Sequence, residues 1–277
     1  MAFIEFRNVY MSYKQELVQR TGYGRSVANK RRLSQRNAIA GRHRFRSGGI
    51  DDDYALRDVS FGIDRNEFVF VIGPSGSGKT TLAKLLIREA YPCSGEVIIG
   101  RRNIHSMPRR FIPELRRKVG TVFQDFRLIP RRTVAENIAF ALEIIGTRRS
   151  EIDLQVQNML AMVGLRDRSD AMPDELSGGE QQRVVIARAM VGSPGILLAD
   201  EPTGNLDPEN ALRVLQILSR INEQKTTVIV CTHDDNIVNL MQKRVIVIRN
   251  GVLTSDQRVA GYNMGDEEPY SERGIFY

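Results

Sequence analysis

The sequence predicts an α/β fold organised around a glycine-rich loop, and three observations support this prediction. Residues 68–72 form an apolar run with the composition of a buried strand. The glycine-rich stretch 73–80 follows directly, and from residue 81 onward apolar residues recur at helical spacing. Strand-like and helix-like segments alternate again between residues 196 and 249. Such alternation is typical of α/β folds.

The glycine-rich stretch, GPSGSGKT, fits the phosphate-binding pattern G-x-x-x-x-G-K-[ST]. Glycines let backbone N–H groups turn toward a phosphate, and the following helix N-terminus adds partial positive charge. Lys79 offers a full positive charge to the β- and γ-phosphates, and the Thr80 hydroxyl is placed to bind Mg²⁺. The alternative, a glycine-rich turn before an ordinary helix, is disfavoured by the strand–loop–helix order. The residues expected to bind the nucleotide here are Gly73, Pro74, Ser75, Gly76, Ser77, Gly78, Lys79, Thr80 and Thr81.

Composition limits the class of protein. Charged residues are 26% of the 277 residues and hydrophobic residues 42%, which is ordinary for a soluble globular protein. No apolar run approaches the roughly 20 residues that cross a bilayer. The N-terminal residues do not resemble a signal peptide. Cys93 and Cys231 lie far apart without metal-type spacing, which argues against a disulfide scaffold or zinc site and favours a reducing cytoplasm.

The net charge of +7 is concentrated in one segment. Residues 14–50 hold ten Lys or Arg and one Glu, so the rest of the chain carries a net charge of −2. Few large apolar residues occur there, and the three aspartates 51–53 follow. This composition predicts a weakly structured insertion over 14–53.

The other elements follow in order. Strands are predicted over 2–10, ending at Tyr13, then over 56–64, 95–99 and 119–123, with a basic helix over 109–118. Residues 124–178 are predicted to form a helical insertion. Its helices include one capped by the pair Thr133 and Glu136, running to about 145, and one over 150–163.

A second capping pair, Ser177 and Glu180, opens a helix to about residue 191. A strand over 196–199 precedes Asp200, and Asp207 followed by proline predicts a helix start, with the helix running to about 222. Strands over 226–231 and 244–249 and a turn at 250–251 complete the core. We therefore expect a single domain over 1–277 with a polar tail over 255–277.

Several short motifs occur in a fixed order around this core. The most specific of them is LSGGEQQR at 176–183. Gln124 and His233 each follow a predicted strand. Glu201 stands directly after Asp200, and Asp207 is the last residue of the run GNLD. Each alone has an ordinary explanation, such as a solvated glutamine, a capped helix or a core histidine. Together they resemble the ATP-binding subunits of the ABC ATPases over residues 2–13 and about 54–254. That resemblance implies a RecA-like P-loop NTPase core with an antiparallel β edge and an inserted helical subdomain, of the ABC ATPase type.

The resemblance also implies a mechanism. Two copies would meet head to tail when ATP is bound, each ATP lying between one P-loop and the other copy's signature residues Ser177, Gly178, Gly179 and Glu180. Asp200 would help hold Mg²⁺ together with Thr80 and Gln124. Glu201 would act as general base or position the attacking water, Gln124 would sense the metal and that water, His233 would contact the γ-phosphate, and Asp207 would belong to the D-loop.

A narrower resemblance lies at 119–142. The run QDFRL at 124–128, followed by Thr133-Val-x-Glu-Asn137, resembles the cell-division subfamily FtsE. It implies a membrane partner of the FtsX type, a place on the cytoplasmic face of the cell membrane through that partner, and control of cell-wall hydrolysis. The stretch 201–207 also resembles ATPases of lipoprotein-release and macrolide-export systems, which stay as an alternative.

Two features leave alternatives open. Tyr13 is the expected adenine-stacking residue, but the insertion starts immediately after it, and Tyr54 is the substitute. The basic insertion fits a contact with anionic lipid, a contact with nucleic acid or a solvated loop. A soluble nucleic-acid-associated ABC ATPase is therefore the alternative from another class.

Overall fold

The computed structural model describes residues 2–14 and 54–258, which form two sheets and the helices around them. The strands are β1 (Ile4–Met11), β2 (Leu56–Ile63), β3 (Phe68–Ile72), β4 (Ser94–Ile99), β5 (Arg102–Asn103), β6 (Val119–Val122), β7 (Ile196–Asp200), β8 (Thr227–Thr232), β9 (Arg244–Arg249) and β10 (Val252–Gln257). The first sheet is antiparallel, in the order β2-β1-β4-β5. The second has the order β10-β9-β3-β8-β7-β6. The α/β prediction is confirmed, and its antiparallel part is a separate sheet.

The second sheet is parallel except at β10, which runs antiparallel to β9. Every residue of β3, β7 and β8 is buried, which explains why these strands are continuous apolar runs in the sequence. Ile72 pairs with Thr232, and Asp200 pairs with Cys231. Strands β3, β7 and β8 therefore end at one edge of the sheet.

The helices of the described residues cover both sheets. They are α1 (Lys79–Leu86), α2 (Ile112–Arg117), α3 (Val134–Ile145), α4 (Arg149–Val163), α5 (Gly178–Met190), α6 (Pro208–Glu223) and α7 (Asp235–Met241). Helices α3, α4 and α5 pack against one another, so the stretch 124–178 contributes a helical layer. Across the part of the chain described here, no helix combines the length and apolar character that crossing a membrane requires.

The structure differs from the sequence-based expectations at several boundaries. Strand β1 ends at Met11, two residues before Tyr13. Helix α7 and strand β10 were not predicted. The insertion beyond Lys14 and most of the tail lie outside the described residues. The chain on either side of the insertion is described: Met11 pairs with Leu56, and the Ala55 N–H donates to the Met11 carbonyl at 2.7 Å. The insertion therefore leaves and re-enters at adjacent positions of one hairpin.

Asn137 ties the start of the helical layer to the loop before it. Its side chain is fully buried on α3 and donates to the carbonyls of Ile129, Arg132 and Thr133 at 3.2, 2.9 and 3.0 Å. Its Oδ1 accepts from the Ile129 N–H at 2.8 Å. The same helix starts with the predicted capping box, in which Thr133 and Glu136 bond reciprocally. The asparagine of the Thr-Val-x-Glu-Asn motif is therefore a brace for the 129–133 loop.

We expect Asn137→Ala to destabilise the fold, because buried main-chain groups of the loop lose their partner. One unsatisfied buried group costs about 1–3 kcal/mol, so the urea midpoint should fall accordingly. Asn158→Ala is the matched control, since Asn158 is exposed on α4. Equal midpoints for the Asn137 variant and the parent would contradict the bracing role.

Candidate nucleotide-binding site

The glycine loop is held by close contacts that exclude side chains. Gly73 has φ 152° and Gly78 has φ 112°. A Cβ on Gly73 would lie 2.0 Å from the Ile248 carbonyl oxygen, and one on Gly78 would lie 2.6 Å from that of Ala55. The loop is thus pressed between the end of β9 and the residues before β2. Such a loop needs glycine for its backbone conformation and for its packing.

Lys79 bonds within the loop. Its Nζ donates to the carbonyls of Gly73 at 2.7 Å and Pro74 at 3.1 Å, and it lies 3.8 Å from Glu201 Oε1. The side chain is only 7% exposed. The two carbonyl oxygens accept hydrogen bonds from the ammonium group, and the Glu201 carboxylate lies within ion-pair distance of it. A phosphate bound in the loop would offer it stronger, charged acceptors.

Thr80, Gln124 and Asp200 line one pocket of about 180 Å³. Burial raises the pKa of the Asp200 carboxyl, and the hydrogen bond from the Thr80 side chain opposes that shift. Among the described residues, Asp200 Oδ1 is buried and has no hydrogen-bond partner. A carboxylate oxygen without a partner, beside a hydroxyl and an amide, fits a Mg²⁺ site, because Mg²⁺ prefers oxygen ligands.

Glu201 and His233 form a hydrogen-bonded pair at the same edge. Glu201 Oε1 lies 2.8 Å from His233 Nδ1, and the Glu201 N–H donates to the Cys231 carbonyl at 2.8 Å. Glu201 has φ 50°, a left-handed backbone that is uncommon for a non-glycine residue. Its Oε2 is buried without a partner among the described residues. One oxygen is thus held by the histidine, while the other is buried with unused hydrogen-bonding capacity among the described residues.

Tyr13 lies beside α1, next to the glycine loop. Its hydroxyl is 3.0 Å from Thr81 Oγ1, and Lys84 Nζ is 5.7 Å from its ring centroid. The ring is exposed enough to take a base, with 41% of Tyr13 accessible. Tyr54 instead forms an edge contact with the Tyr10 ring. This geometry favours Tyr13 over Tyr54 as the adenine contact, which stays a prediction.

The signature residues belong to another surface of the chain. Ser177 caps α5 by accepting from the Glu180 N–H, and hydrogen bonds from Ser177 lower the pKa of Glu180. A Cβ on Gly179 would lie 2.3 Å from the Asn210 side chain, which bonds to Asp207. None of Ser177, Gly178, Gly179 and Glu180 lines the pocket of Thr80 and Asp200. The signature residues therefore lie outside the pocket in which Mg²⁺ is expected to bind.

Two cations were missed as candidate site residues. Lys84 and Arg127 line the pocket with Thr80 and Asp200. Arg127 stacks on the Phe123 ring, with its guanidinium carbon 3.9 Å from the ring centroid. Arg127 stands in the QDFRL run, so the motif itself contained the signal.

Comparisons with known proteins agree with this geometry. Residues 56–204 match the family described as ABC transporter. The chain is 50% identical over 210 residues to the cell division ATP-binding protein FtsE of Mycobacterium tuberculosis, covering 76% of this chain and 91% of that protein. For FtsE of Bacillus subtilis the identity is 47% over 212 residues, covering 76% and 93%. Among solved structures, the chain is similar to a dimer of the ATP-binding cassette MJ0796 in a post-hydrolysis state bound to ADP and Pi. The TM-score is 0.72 at 30% sequence identity, and the match covers 94% of this chain and 100% of that chain.

We expect Asp200→Asn to leave the ligand-free protein as stable as the parent, or more stable. The raised pKa means that the native state favours the neutral carboxyl, so the buried charge lowers stability at pH values above the folded pKa. Melting temperatures in EDTA at pH 7 test this, with Asp153→Asn on the exposed face of α4 as control. A large loss of stability confined to the Asp200 variant would contradict it.

Proposed function

Since the chain belongs to the ABC transporter family and groups within it with the cell division ATP-binding proteins FtsE, we propose that it is the ATP-hydrolysing subunit of a membrane complex that acts in cell division. The enzyme binds ATP and hydrolyses it to ADP and phosphate. The observation that carries the proposal is the convergence of Lys79, Glu201 and His233 at the glycine loop. The partner that fits the relatives' name is an integral membrane protein of the FtsX type.

The catalytic groups have distinct tasks in this proposal. The glycine-loop N–H groups and Lys79 bind the β- and γ-phosphates. Glu201 accepts a proton from, or orients, the attacking water, while His233 holds one of its carboxylate oxygens and would contact the γ-phosphate. Gln124 lies in the pocket where Mg²⁺ is proposed to bind, and it senses both the ion and the attacking water. Alignment and neutralisation of charge account for most of the rate enhancement in this chemistry.

Mg²⁺ would be held by Thr80 and Gln124, with Asp200 acting directly or through water. When bound, the ion neutralises charge on the β- and γ-phosphate oxygens. The buried Asp200 oxygen without a partner is the feature of this chain that supports it. The remaining work falls to the chain itself, which holds the phosphates and keeps the carboxylate of Glu201 next to them.

A second copy completes the site. Because Ser177, Gly178 and Gly179 lie outside the pocket of their own chain, we infer a head-to-tail homodimer in which the α5 N-terminus meets the partner's ATP. A helix N-terminus with glycines suits a phosphate, since the N–H groups of its first turn carry partial positive charge. Asn210, which bonds to Asp207 of the D-loop, packs against Gly179 at this helix start.

We expect Glu201→Gln to keep ATP binding and to lose most of its hydrolysis, because the amide cannot accept the proton from water. An ATP-bound dimer should accumulate, and size-exclusion chromatography with ATP would show it. Lys79→Ala is the contrasting variant and should lose affinity for ATP in titration calorimetry. Normal turnover by the Glu201 variant would remove it from the catalytic role.

The membrane partner is proposed to contact the helical layer. A groove of about 540 Å³ runs between α2 and α3, lined mainly by apolar groups that include Ile112, Ala141 and Ile145. Ile144 stands at its edge with 60% of its surface exposed. The loop 126–131 connects the metal pocket to this layer, so a change at Gln124 can bias how the layer meets the partner. This contact would place the protein on the inner face of the membrane.

Ile144→Asp should release the membrane partner and leave ATP binding unchanged, because the contact would lose apolar surface and would have to desolvate a carboxylate. Co-purification from detergent extracts with ATP measures this. Leu154→Asp is the matched control, since Leu154 is 66% exposed on the neighbouring helix and lies outside the groove. If both variants keep the partner, the contact lies elsewhere.

A further inference from the structure

The Q-loop segment after Gln124 is bonded to the helix that carries the signature. Arg188, in the last turn of α5, donates from Nη1 to the Arg127 carbonyl at 2.7 Å and from Nη2 to the Phe126 carbonyl at 3.1 Å. Burial lowers the pKa of the Arg188 guanidinium. Among the described residues it forms no ion pair with a carboxylate. Its hydrogen bonds therefore go to main-chain oxygens, whose positions depend on the conformation of the loop.

The loop conformation that Arg188 binds is strained. Arg127 has φ 49°, a left-handed backbone that costs a non-glycine residue free energy. The carbonyl of this same residue accepts the shorter of the two bonds. A charge-assisted bond to that carbonyl offsets the strain and selects the conformation. Arg127 also lines the pocket of Thr80 and Asp200, where the metal is proposed to bind. The loop conformation that Arg188 selects is therefore the one that lines the proposed site.

The same loop reaches the other end of α5. A Cβ on Gly178 would lie 3.9 Å from Phe126 Cζ, so the tip of the Phe126 ring is beside the signature. Near the helix start, Arg183 donates to Asn210 Oδ1 at 3.3 Å, which connects α5 to the D-loop. Helix α5 has 13 residues and a length of about 20 Å. One helix thus carries contacts to the Q-loop at both ends and to the D-loop.

We infer that Arg188 is a positioning residue that fixes the Q-loop to the signature helix, so that the two move as one unit when nucleotide binds. The inference rests on the proposed function, because it assigns Gln124 a role in hydrolysis. Arg188 does not line the pocket of Thr80 and Asp200. It acts on the reaction only through Gln124 and the loop behind it.

A double-mutant cycle tests this, using the full chain and Mg²⁺-ATP. Arg188→Met keeps the length of the side chain and removes its donors. It should lower kcat on the order of ten- to a hundredfold, since misplacement of a catalytic group by about 1 Å has effects of that size. ATP affinity in EDTA should stay within about twofold, because the glycine loop is untouched. Gln124→Ala with Arg188→Met should be no slower than Gln124→Ala alone, because the arginine acts through the glutamine.

Two further variants and one structural readout make the test decisive. Arg213→Met removes an arginine from α6 whose pair is Glu209, and it should leave kcat unchanged. Arg188→Lys can donate to one of the two carbonyls and should restore part of kcat. If the Arg188→Met variant does not fold, the lysine variant takes its place in the test. Amide hydrogen exchange of residues 124–128 should be faster in Arg188→Met and unchanged in Arg213→Met.

The outcomes separate the inference from the proposed function. Losses of kcat that multiply in the double variant, or Q-loop exchange equal to that of the parent, would overturn the role of Arg188. Full activity of Gln124→Ala alone would overturn the role of the Q-loop in hydrolysis. The exchange measurement would still decide whether Arg188 holds the loop.

Discussion

The parallel register of the second sheet is the constraint on which the site depends. Because β3, β7 and β8 run side by side and end at one edge, three segments distant in sequence meet there: the glycine loop, the pair Asp200 and Glu201, and His233. Ligands of open α/β sheets bind outside this edge for the same reason. A shift of one strand by a single residue would turn these side chains to the other face of the sheet.

The charges at this edge are held in an unusually dry environment. Lys79 and Asp200 are buried, and Glu201 is 12% exposed, so the attraction between Lys79 and the two carboxylates and the repulsion between those carboxylates are weakly screened. Partly satisfied buried groups are unfavourable in the free protein, as the oxygens of Asp200 and Glu201 that have no partner within residues 2–14 and 54–258 illustrate. A ligand that supplies the missing partners therefore stabilises such a site. The polyphosphate of a nucleotide with its counter-ion has the chemistry to do so.

Much of this arrangement could be predicted from local sequence. The glycine loop, the capping boxes at Thr133 and Ser177 and the apolar strands all depend on neighbouring residues, and the structure has them where the patterns indicate. The hydrogen bonds of Arg188 and Asn137 to main-chain carbonyls could not be predicted, because such bonds need a partner in space and leave no periodic pattern. Strand β10 was missed because its exposed residues gain their order from pairing with β9.

The hairpin of β1 and β2 has a consequence for how the protein can be altered. The hydrogen bond between Ala55 and Met11 closes the end of this hairpin at which the insertion is attached. Ala55 also packs against the glycine loop at Gly78. The entropy of closing a loop grows only with the logarithm of its length, at about 0.6 kcal/mol for each doubling. Segments of very different length can therefore connect the two strands with little change in the free energy of folding. This end of the hairpin is a suitable insertion point for a reporter domain, and a domain inserted there would lie close in space to the phosphate-binding loop, because Ala55 packs against Gly78.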